Sequence, residues 1–241
     1  MRILVTRPEP DASRQAEQLA ARGHVAVHAP LLAIVPVADA PLQLEGAQAL
    51  LVTSRNALRA LAAHRELAEA LTLPVFAVGE ATARAAQGLG FADVTAGPGT
   101  GAALAKLVSE ELQPEHGALV HLAGETLAFD LKVALASRGF VLRRPVLYRA
   151  VPTTELPAEA LSLLDAGKLD GAILMSPRTA SIFAELLSRQ DAVTQARSVV
   201  CYCLSEAVAE ALTPLGFAVR VAARPREEDV LALLDSEAAS S

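Results

Sequence analysis

The sequence predicts an α/β protein made of two similar lobes, each a parallel sheet flanked by helices, joined by a two-stranded linker. Three observations support this fold class. Short apolar runs alternate with helical patterns along the chain, the same motifs occur in both halves, and two extended segments closed by proline look like connectors between the lobes. The predicted domains are 1–34 plus 153–241, a discontinuous first lobe, and 38–146, the second lobe, with 35–37 and 147–152 as linker strands.

The clearest unit is a buried strand followed at once by the start of a helix. The run AILM at 172–175 is typical of a strand that is covered on both faces. Ser176 can cap the next helix, and Pro177 suits a first helical position because no backbone donor is needed there. A helix N-terminus at the carboxyl end of a parallel strand favours anion binding.

This plan occurs twice along the chain, which predicts two copies of a three-unit βα module. The paired segments are 50–57 with 172–179, 79–91 with 205–217, and 3–23 with 119–139. Between them the patterns predict strands at 141–148 and 218–222 and helices at 11–22, 102–112, 126–138 and 227–235. We expect the functional site to lie where the two copies face each other.

Composition excludes several classes of protein. Apolar residues make up 52% of the 241 residues, and the net charge of −6 argues against general nucleic-acid binding. No apolar run approaches the roughly 18 residues that span a membrane, and the N-terminus leads directly into a strand, so we expect a cytoplasmic protein. The histidines have no metal-binding spacing, and Cys201 and Cys203 fit core positions; we expect no metal and no other cofactor.

Polar residues follow the predicted strands at equivalent places in both halves. They are Thr6 with Arg7, Thr53 with Ser54, Gly79, the run from Ser176 to Thr179, and Ser205. Plain helix capping explains some of them, whereas their recurrence favours a cleft suited to carboxylates or phosphates. Arg7 and Arg178 can each grip a carboxylate with two parallel bonds, with an exposed surface arginine as the alternative.

Two further features concern catalysis. Tyr148 lies in the second linker segment, where its phenol can donate a proton to a leaving hydroxyl; the alternative is a packing residue of the hinge. The stretch 97–102, GPGTGA, matches a dinucleotide fingerprint. A flexible turn is the preferred interpretation, because the preceding strand is short and half polar.

In this order and spacing, several short motifs resemble those of the uroporphyrinogen-III synthase family. They are ILVTRP at 3–8, APL at 29–31, LVTSRNA at 51–57, VGEATA at 78–83, VLYRAVP at 146–152 and LMSPRTA at 174–180. One departure is the run CLSE at 203–206, which stands where many members carry Gly-Pro-x-Thr.

The resemblance implies cofactor-independent closure of hydroxymethylbilane, a linear tetrapyrrole, to uroporphyrinogen III, with loss of water and inversion of the last pyrrole ring. It assigns the role of proton donor to Tyr148. It also implies that main-chain amides and hydroxyls hold the substrate carboxylates, at Thr6, Ser54, Gly79, Thr82, Ser176 and Ser205. We expect a monomer with no nucleic-acid or membrane partner. A non-catalytic two-lobe protein that binds anions or regulates would share the same features and is the alternative.

Overall fold

The computed structural model describes residues 1–238 and divides into two compact units. Unit 1 combines Met1–Ala33 with the chain from Val151 onwards, and unit 2 is Ile34–Ala150. The ranges drawn from the sequence differ from these by a few residues, and as independently folding domains they stay a prediction. Residues 239–241, the end of the first predicted range, lie outside the described residues.

Unit 1 contains a five-stranded parallel sheet in the order β12-β11-β10-β1-β2. Its strands are β1 (Arg2–Val5), β2 (Val25–His28), β10 (Gly171–Leu174), β11 (Val200–Cys203) and β12 (Ala218–Val221). Its helices are α1 (Asp11–Ala20), α7 (Ala158–Asp165), α8 (Pro177–Arg189), α9 (Val193–Ala196), α10 (Glu206–Glu210) and α11 (Glu227–Ala238), with a 3₁₀ turn at Thr213–Leu215. The predicted helix 227–235 therefore extends to Ala238.

Both faces of this sheet carry an apolar core. Leu4 packs into one core with Phe183, whereas its neighbours Ile3 and Val5 pack into the other with Tyr202. Successive side chains of a strand point to opposite faces, so a strand covered on both faces must be apolar throughout. This explains the continuous apolar runs in the sequence.

Unit 2 contains a second sheet in the order β3-β9-β7-β4-β5-β6, with β8 also paired to β7. Its strands are β3 (Leu32–Pro36), β4 (Ala47–Val52), β5 (Val75–Ala77), β6 (Val94–Ala96), β7 (Ala118–Gly124), β8 (Leu142–Arg143) and β9 (Val146–Pro152). Its helices are α2 (Arg55–Ala62), α3 (Leu67–Ala70), α4 (Glu80–Leu89), α5 (Gly101–Glu111) and α6 (Leu131–Ala136), with a 3₁₀ turn at Pro114–His116. The chain passes from one unit to the other within β3 and again within β9. The predicted fold class is confirmed.

This sheet also separates two apolar cores. Leu50 and Val52 of β4 point into one, and Ala49 and Leu51 point into the other. Within the described residues, no helix is both long enough and apolar enough to cross a membrane.

Two predictions in unit 2 were wrong in a way that affects the site. The predicted strand 141–148 is interrupted at Arg144-Pro145, where the proline removes a donor from the ladder, and forms β8 and β9. The predicted helix 126–138 is only α6. Asp130 begins it, since its carboxylate accepts bonds from the backbone N–H groups of Lys132 and Val133 at 2.9 and 3.2 Å. Residues 125–130 therefore form a loop after β7.

Candidate functional site

A pocket of about 520 Å³ opens in unit 2 at the carboxyl ends of its parallel strands. Glycines, hydroxyl-bearing residues, small apolar residues and two aromatic rings line it, and its lining includes no charged side chain. The lining residues are Thr53, Ser54, Val78, Gly99, Thr100, Gly101, Ala102, Gly124, Thr126, Leu127, Ala128, Phe129 and Tyr148. In open parallel sheets, this is the edge at which ligands bind.

Two helices of unit 2 begin at the pocket. Ser54 is the N-cap of α2, and its hydroxyl oxygen accepts a bond from the backbone N–H of Asn56 at 3.2 Å. Thr100 is the N-cap of α5, and its hydroxyl oxygen accepts from the backbone N–H of Ala103 at 3.2 Å. Each hydroxyl thus stabilises a helix end while its own proton remains free to be donated. The two N-termini also give the pocket a positive potential without any charged side chain.

The glycine-rich turn before α5 forms one wall of this pocket. Gly99 has a φ of +102°, and its N–H donates to the carbonyl of Val78 at 2.7 Å. A Cβ added at Gly97 would lie 2.9 Å from the carbonyl oxygen of Ala77, so the turn packs directly against the end of β5. The sequence analysis interpreted this stretch as a flexible turn and did not predict that it lines the pocket. The stretch GPGTG nevertheless contained a signal, because its glycines allow close approach of the backbone and its threonine can cap a helix.

The ring of Tyr148 lies against the backbone of Gly124. β7 and β9 pair in parallel here, with Gly124 opposite Tyr148 in the register. A Cβ added at Gly124 would lie 2.6 Å from Cζ of the tyrosine ring and 2.9 Å from its hydroxyl oxygen. Only glycine lets the ring lie this close to the strand. Within the described residues, no group forms a hydrogen bond with the Tyr148 hydroxyl, which leaves it available to a ligand.

A buried histidine lies behind the pocket wall. The hydroxyl of Thr53 is 3.0 Å from Nε2 of His121, a β7 residue whose exposure is 1%. Nδ1 of the ring is buried and has no hydrogen-bond partner in the described residues. Burial, with a smaller contribution from Arg144, lowers the pKa of His121 to about 4, so the ring is neutral at neutral pH. No motif marks His121, and the sequence analysis gave it no role.

Phe129 forms another wall, although it lies in an exposed loop. The ring is 39% exposed, and a Cβ added at Gly101 would lie 2.7 Å from Cβ of Phe129. The loop after β7 and the first residue of α5 are therefore in close contact at the pocket. Sequence reasoning assigned Phe129 to a helix and missed it.

The predicted residues of unit 2 fall into two groups. Ser54 and Tyr148 line the pocket. Gly79 caps α4 from outside the lining, and a Cβ there would lie 3.3 Å from Cα of Gly99, which does line it. Thr82 is buried in the first turn of α4, where its N–H donates to the carbonyl of Gly79 at 3.0 Å.

The predicted residues of unit 1 lie at the carboxyl end of its own sheet. Thr6 is fully buried, and its hydroxyl donates to the carbonyl of Ile173 at 2.7 Å, which ties β1 to β10. Ser176 caps α8 in a reciprocal arrangement with Thr179. Ser205 is the N-cap of the short helix α10 and makes no capping bond with its side chain. Substrate contacts at these residues stay predictions.

The two predicted arginines differ in their surroundings. Arg7 lies 3.2 Å from Asp11 and 2.8 Å from Glu227, and its side chain is 16% exposed. Two carboxylates of unit 1 therefore already engage its guanidinium. Arg178 lies in the first turn of α8 and is exposed. Their roles as carboxylate ligands also stay predictions.

Comparison with known proteins identifies relatives of the chain. The family model described as "Uroporphyrinogen-III synthase HemD" matches residues 13–232. A uroporphyrinogen-III synthetase from Helicobacter pylori is 18% identical, with 98% of each chain covered and a TM-score of 0.66. A mutant uroporphyrinogen III synthase from the extremely thermophilic bacterium Thermus thermophilus is 20% identical, with each chain fully covered and a TM-score of 0.57. Because these two identities are low, the similarities establish the fold alone. No curated protein sequence matches the chain.

Proposed function

The chain belongs to the uroporphyrinogen-III synthase family, and we propose that the pocket around Tyr148 is where it closes hydroxymethylbilane into uroporphyrinogen III. The resemblance inferred from the motifs is confirmed. The observation that carries this assignment is the unpaired hydroxyl of Tyr148 above Gly124, in a pocket that two helix N-termini make favourable to anions. The chain is a lyase of porphyrin and heme biosynthesis, and the non-catalytic binding protein is not favoured.

The reaction starts with loss of the terminal hydroxyl group of the substrate. The adjoining pyrrole nitrogen supplies the electron pair, the C–O bond breaks, and an azafulvene cation remains. Because the substrate itself pushes the electrons, this step needs an acid that helps water to leave, and no metal or redox group. Tyr148 is that acid: its hydroxyl donates a proton to the departing oxygen. Acid assistance of this kind is worth on the order of 10²–10⁴-fold in rate.

The second step determines the isomer. The substituted carbon of the far pyrrole attacks the cation and gives a spiro intermediate, which reopens and recloses with that ring inverted. Direct closure at the free carbon would give isomer I instead. The pocket must therefore hold both ends of a flexible tetrapyrrole, and positioning of this kind can contribute roughly 7–11 kcal/mol.

The neutral lining suits this chemistry. Hydroxyls of Ser54 and Thr100 and the free N–H groups of their helices can hold a substrate carboxylate without a cation beside the developing azafulvene. A lysine or arginine in this lining, without a carboxylate bound to it, would raise the energy of the azafulvene cation through charge repulsion. The aromatic faces of Tyr148 and Phe129 are compatible with it, because a ring face attracts positive charge.

Several further predictions belong to the same proposal. We propose that unit 1 contributes substrate contacts through Thr6, Arg7, Ser176, Arg178 and Ser205, and that unit 2 adds contacts through Gly79 and Thr82. The protein is a cytoplasmic monomer that binds no nucleic acid. Size-exclusion chromatography with light scattering tests the monomer directly, and cell fractionation tests the location.

The function is tested by a coupled assay. Hydroxymethylbilane is generated in situ, the purified protein is added without metal or cofactor, the products are oxidised, and the uroporphyrin isomers are separated by chromatography. Predominantly isomer III supports the proposal. Isomer I alone, with folded protein present, would mean spontaneous closure and would return the binding protein as the leading alternative.

The acid role is tested with Tyr148→Phe. The variant keeps the ring on Gly124 and removes only the hydroxyl, so it should fold normally and turn over on the order of 10²-fold more slowly. Thr126→Val is the control, because it removes another hydroxyl from the lining. An undiminished rate for Tyr148→Phe would exclude the phenol as the acid.

A further inference from the structure

A second pocket adjoins the first in unit 2 and has the opposite electrostatic character. It has a volume of about 470 Å³ and is lined by Gln43, Leu127, Asp130, Lys132, Leu142, Arg143 and Arg144. Leu127 lines both pockets, so only the loop after β7 separates them. Three cations thus collect here in a chain whose net charge is −6.

Two of these cations have no carboxylate partner. Among the described residues neither Lys132 nor Arg144 forms an ion pair, and both are exposed. Asp130 shares the pocket and keeps its negative charge while its carboxylate accepts the backbone bonds that begin α6, so three cations and one anion leave the lining with a net charge of about +2. Cations in excess of their counter-ions repel one another, and this repulsion is relieved when an anion binds.

Arg143 has a different role from its neighbours. Its Nη1 donates to the carbonyl oxygens of Gln43 and Glu45 at 2.6 and 2.5 Å. The guanidinium therefore fixes the wall of the pocket, and its positive charge belongs to the lining. Arg144 also contributes to the lowered pKa of His121. Its charge therefore acts on the ring that contacts Thr53, a residue of the first pocket.

The substrate supplies a reason for two such pockets side by side. Every pyrrole ring of hydroxymethylbilane carries an acetate and a propionate arm, whereas the lining of the pocket around Tyr148 contains no cation. A carboxylate without a charged partner or hydrogen bonds is costly to remove from water. Because Leu127 lines both pockets, the charged pocket is the neighbouring place for the carboxylate of an arm attached to a ring beside Tyr148.

We propose that the pocket of Lys132, Arg143 and Arg144 binds a carboxylate arm of the tetrapyrrole whose reacting ring lies beside Tyr148. This inference rests on the proposed function, and it identifies a charged subsite that orients the substrate. The subsite acts on the ground state and the transition state alike, because the arm takes no part in bond making. Its loss should therefore raise KM and leave kcat nearly unchanged.

The test removes the charge of each side chain and keeps a polar, unbranched residue at the position. Lys132→Gln and Arg144→Gln should each raise KM for hydroxymethylbilane about threefold, and the double variant about tenfold, in the coupled assay at low salt. Added salt should raise the KM of the wild type and affect the double variant much less. Arg138→Gln is the matched control, since it removes an exposed cation just beyond α6 that does not line the pocket.

The outcomes separate this proposal from the function on which it rests. If the wild type forms isomer III and the double variant keeps both its KM and its salt dependence, the charged subsite is refuted and the function stands. If the wild type forms only isomer I, the function fails, and titration with fluorescent uroporphyrin III decides about the subsite. Weaker binding in the double variant, but not in Arg138→Gln, would support a carboxylate pocket; equal binding would refute it.

Discussion

The contact between Gly124 and Tyr148 gives the sharpest prediction about catalysis. Replacement of Gly124 by alanine adds a single methyl group at the point where the ring crosses β7. The new carbon would lie 2.6 Å from Cζ of Tyr148. Carbon atoms in ordinary contact are about 3.5–4.0 Å apart, so the ring must move by about 1 Å or the strand must yield.

This displacement should affect activity more than stability. Tyr148 is only half buried and packs against one apolar core without being one of its buried members, so we expect its displacement to cost less than that of a fully buried ring. Overpacking costs about 1–3 kcal/mol in a closed core, and we expect less than about 1 kcal/mol here. A misplacement of about 1 Å can nevertheless lower the rate about 10²-fold, because the hydroxyl of Tyr148, the proposed proton donor, would no longer reach the leaving oxygen.

Two other glycines provide matched controls for the assay. Gly88 lies in α4 with no atom within 4 Å of an added Cβ, so Gly88→Ala should keep full activity and gain stability slightly. Gly171→Ala would place its Cβ 2.6 Å from Cε2 of Tyr202, a fully buried ring in unit 1. The distance of the clash is the same as at Gly124, but we expect Gly171→Ala to lower the melting temperature, whereas Gly124→Ala should lower kcat. The readouts are kcat from the coupled assay and thermal unfolding.

A wild-type kcat for Gly124→Ala would refute the argument, because the ring position would then not limit the reaction. A stricter test combines Gly124→Ala with Tyr148→Phe. If the two single changes act through the same hydroxyl, the second should cost little once the first is present. Additive losses would instead mean that Gly124 shapes the pocket for the substrate independently of the acid.

Two further predictions concern the buried residues His121 and Thr6. Burial lowers the pKa of His121 from its usual 6.5 to about 4, so between these values the unfolded chain binds a proton that the folded chain excludes. His121 therefore does not lower the free energy of unfolding above pH 6.5. As the pH drops toward 4, protonation of His121 in the unfolded chain lowers this free energy by up to about 3 kcal/mol. His121→Gln should remove that part of the acid sensitivity in denaturant titrations at pH 5 and 7, whereas His116→Gln, at an exposed position, should not. Thr6→Val leaves the carbonyl of Ile173 without its donor and should lower the free energy of unfolding by about 1–2 kcal/mol. A raised KM at unchanged melting temperature would instead support the substrate contact predicted from the sequence.

Much of the fold was predictable from the sequence. The paired segments 50–57 and 172–179 predicted equivalent strands, and the structure places β4 and β10 in the interior of their sheets. The N-caps Ser54 and Ser176 were also predictable, since a serine before a helical pattern has one preferred role at that position. These features depend on neighbours in the sequence, which a local pattern records.

Features that depend on distant residues were not predictable. Phe129 lies in a loop because Asp130 begins α6, whereas apolar spacing alone favoured a longer helix. His121 has its low pKa because Thr53 and the surrounding core bury it, and neither partner is near it in the chain. The charged pocket has the same origin, since Gln43 reaches Arg143 across 100 residues of sequence.

The two copies of the module differ at the strand that carries the site. β1 of unit 1 and β7 of unit 2 occupy equivalent places, each beside an interior strand of its sheet, β10 or β4. β1 has four residues, whereas β7 has seven. The extension of β7 ends at Gly124 and pairs with β9, which places Tyr148 on the glycine. A repeat reveals the shared architecture through what both copies keep, and here the proposed acid, Tyr148, and the glycine beneath it belong to residues that only one copy has. The added pairing of β7 with β9 thus fixes the ring of the proposed acid at one edge of a scaffold that the two copies share.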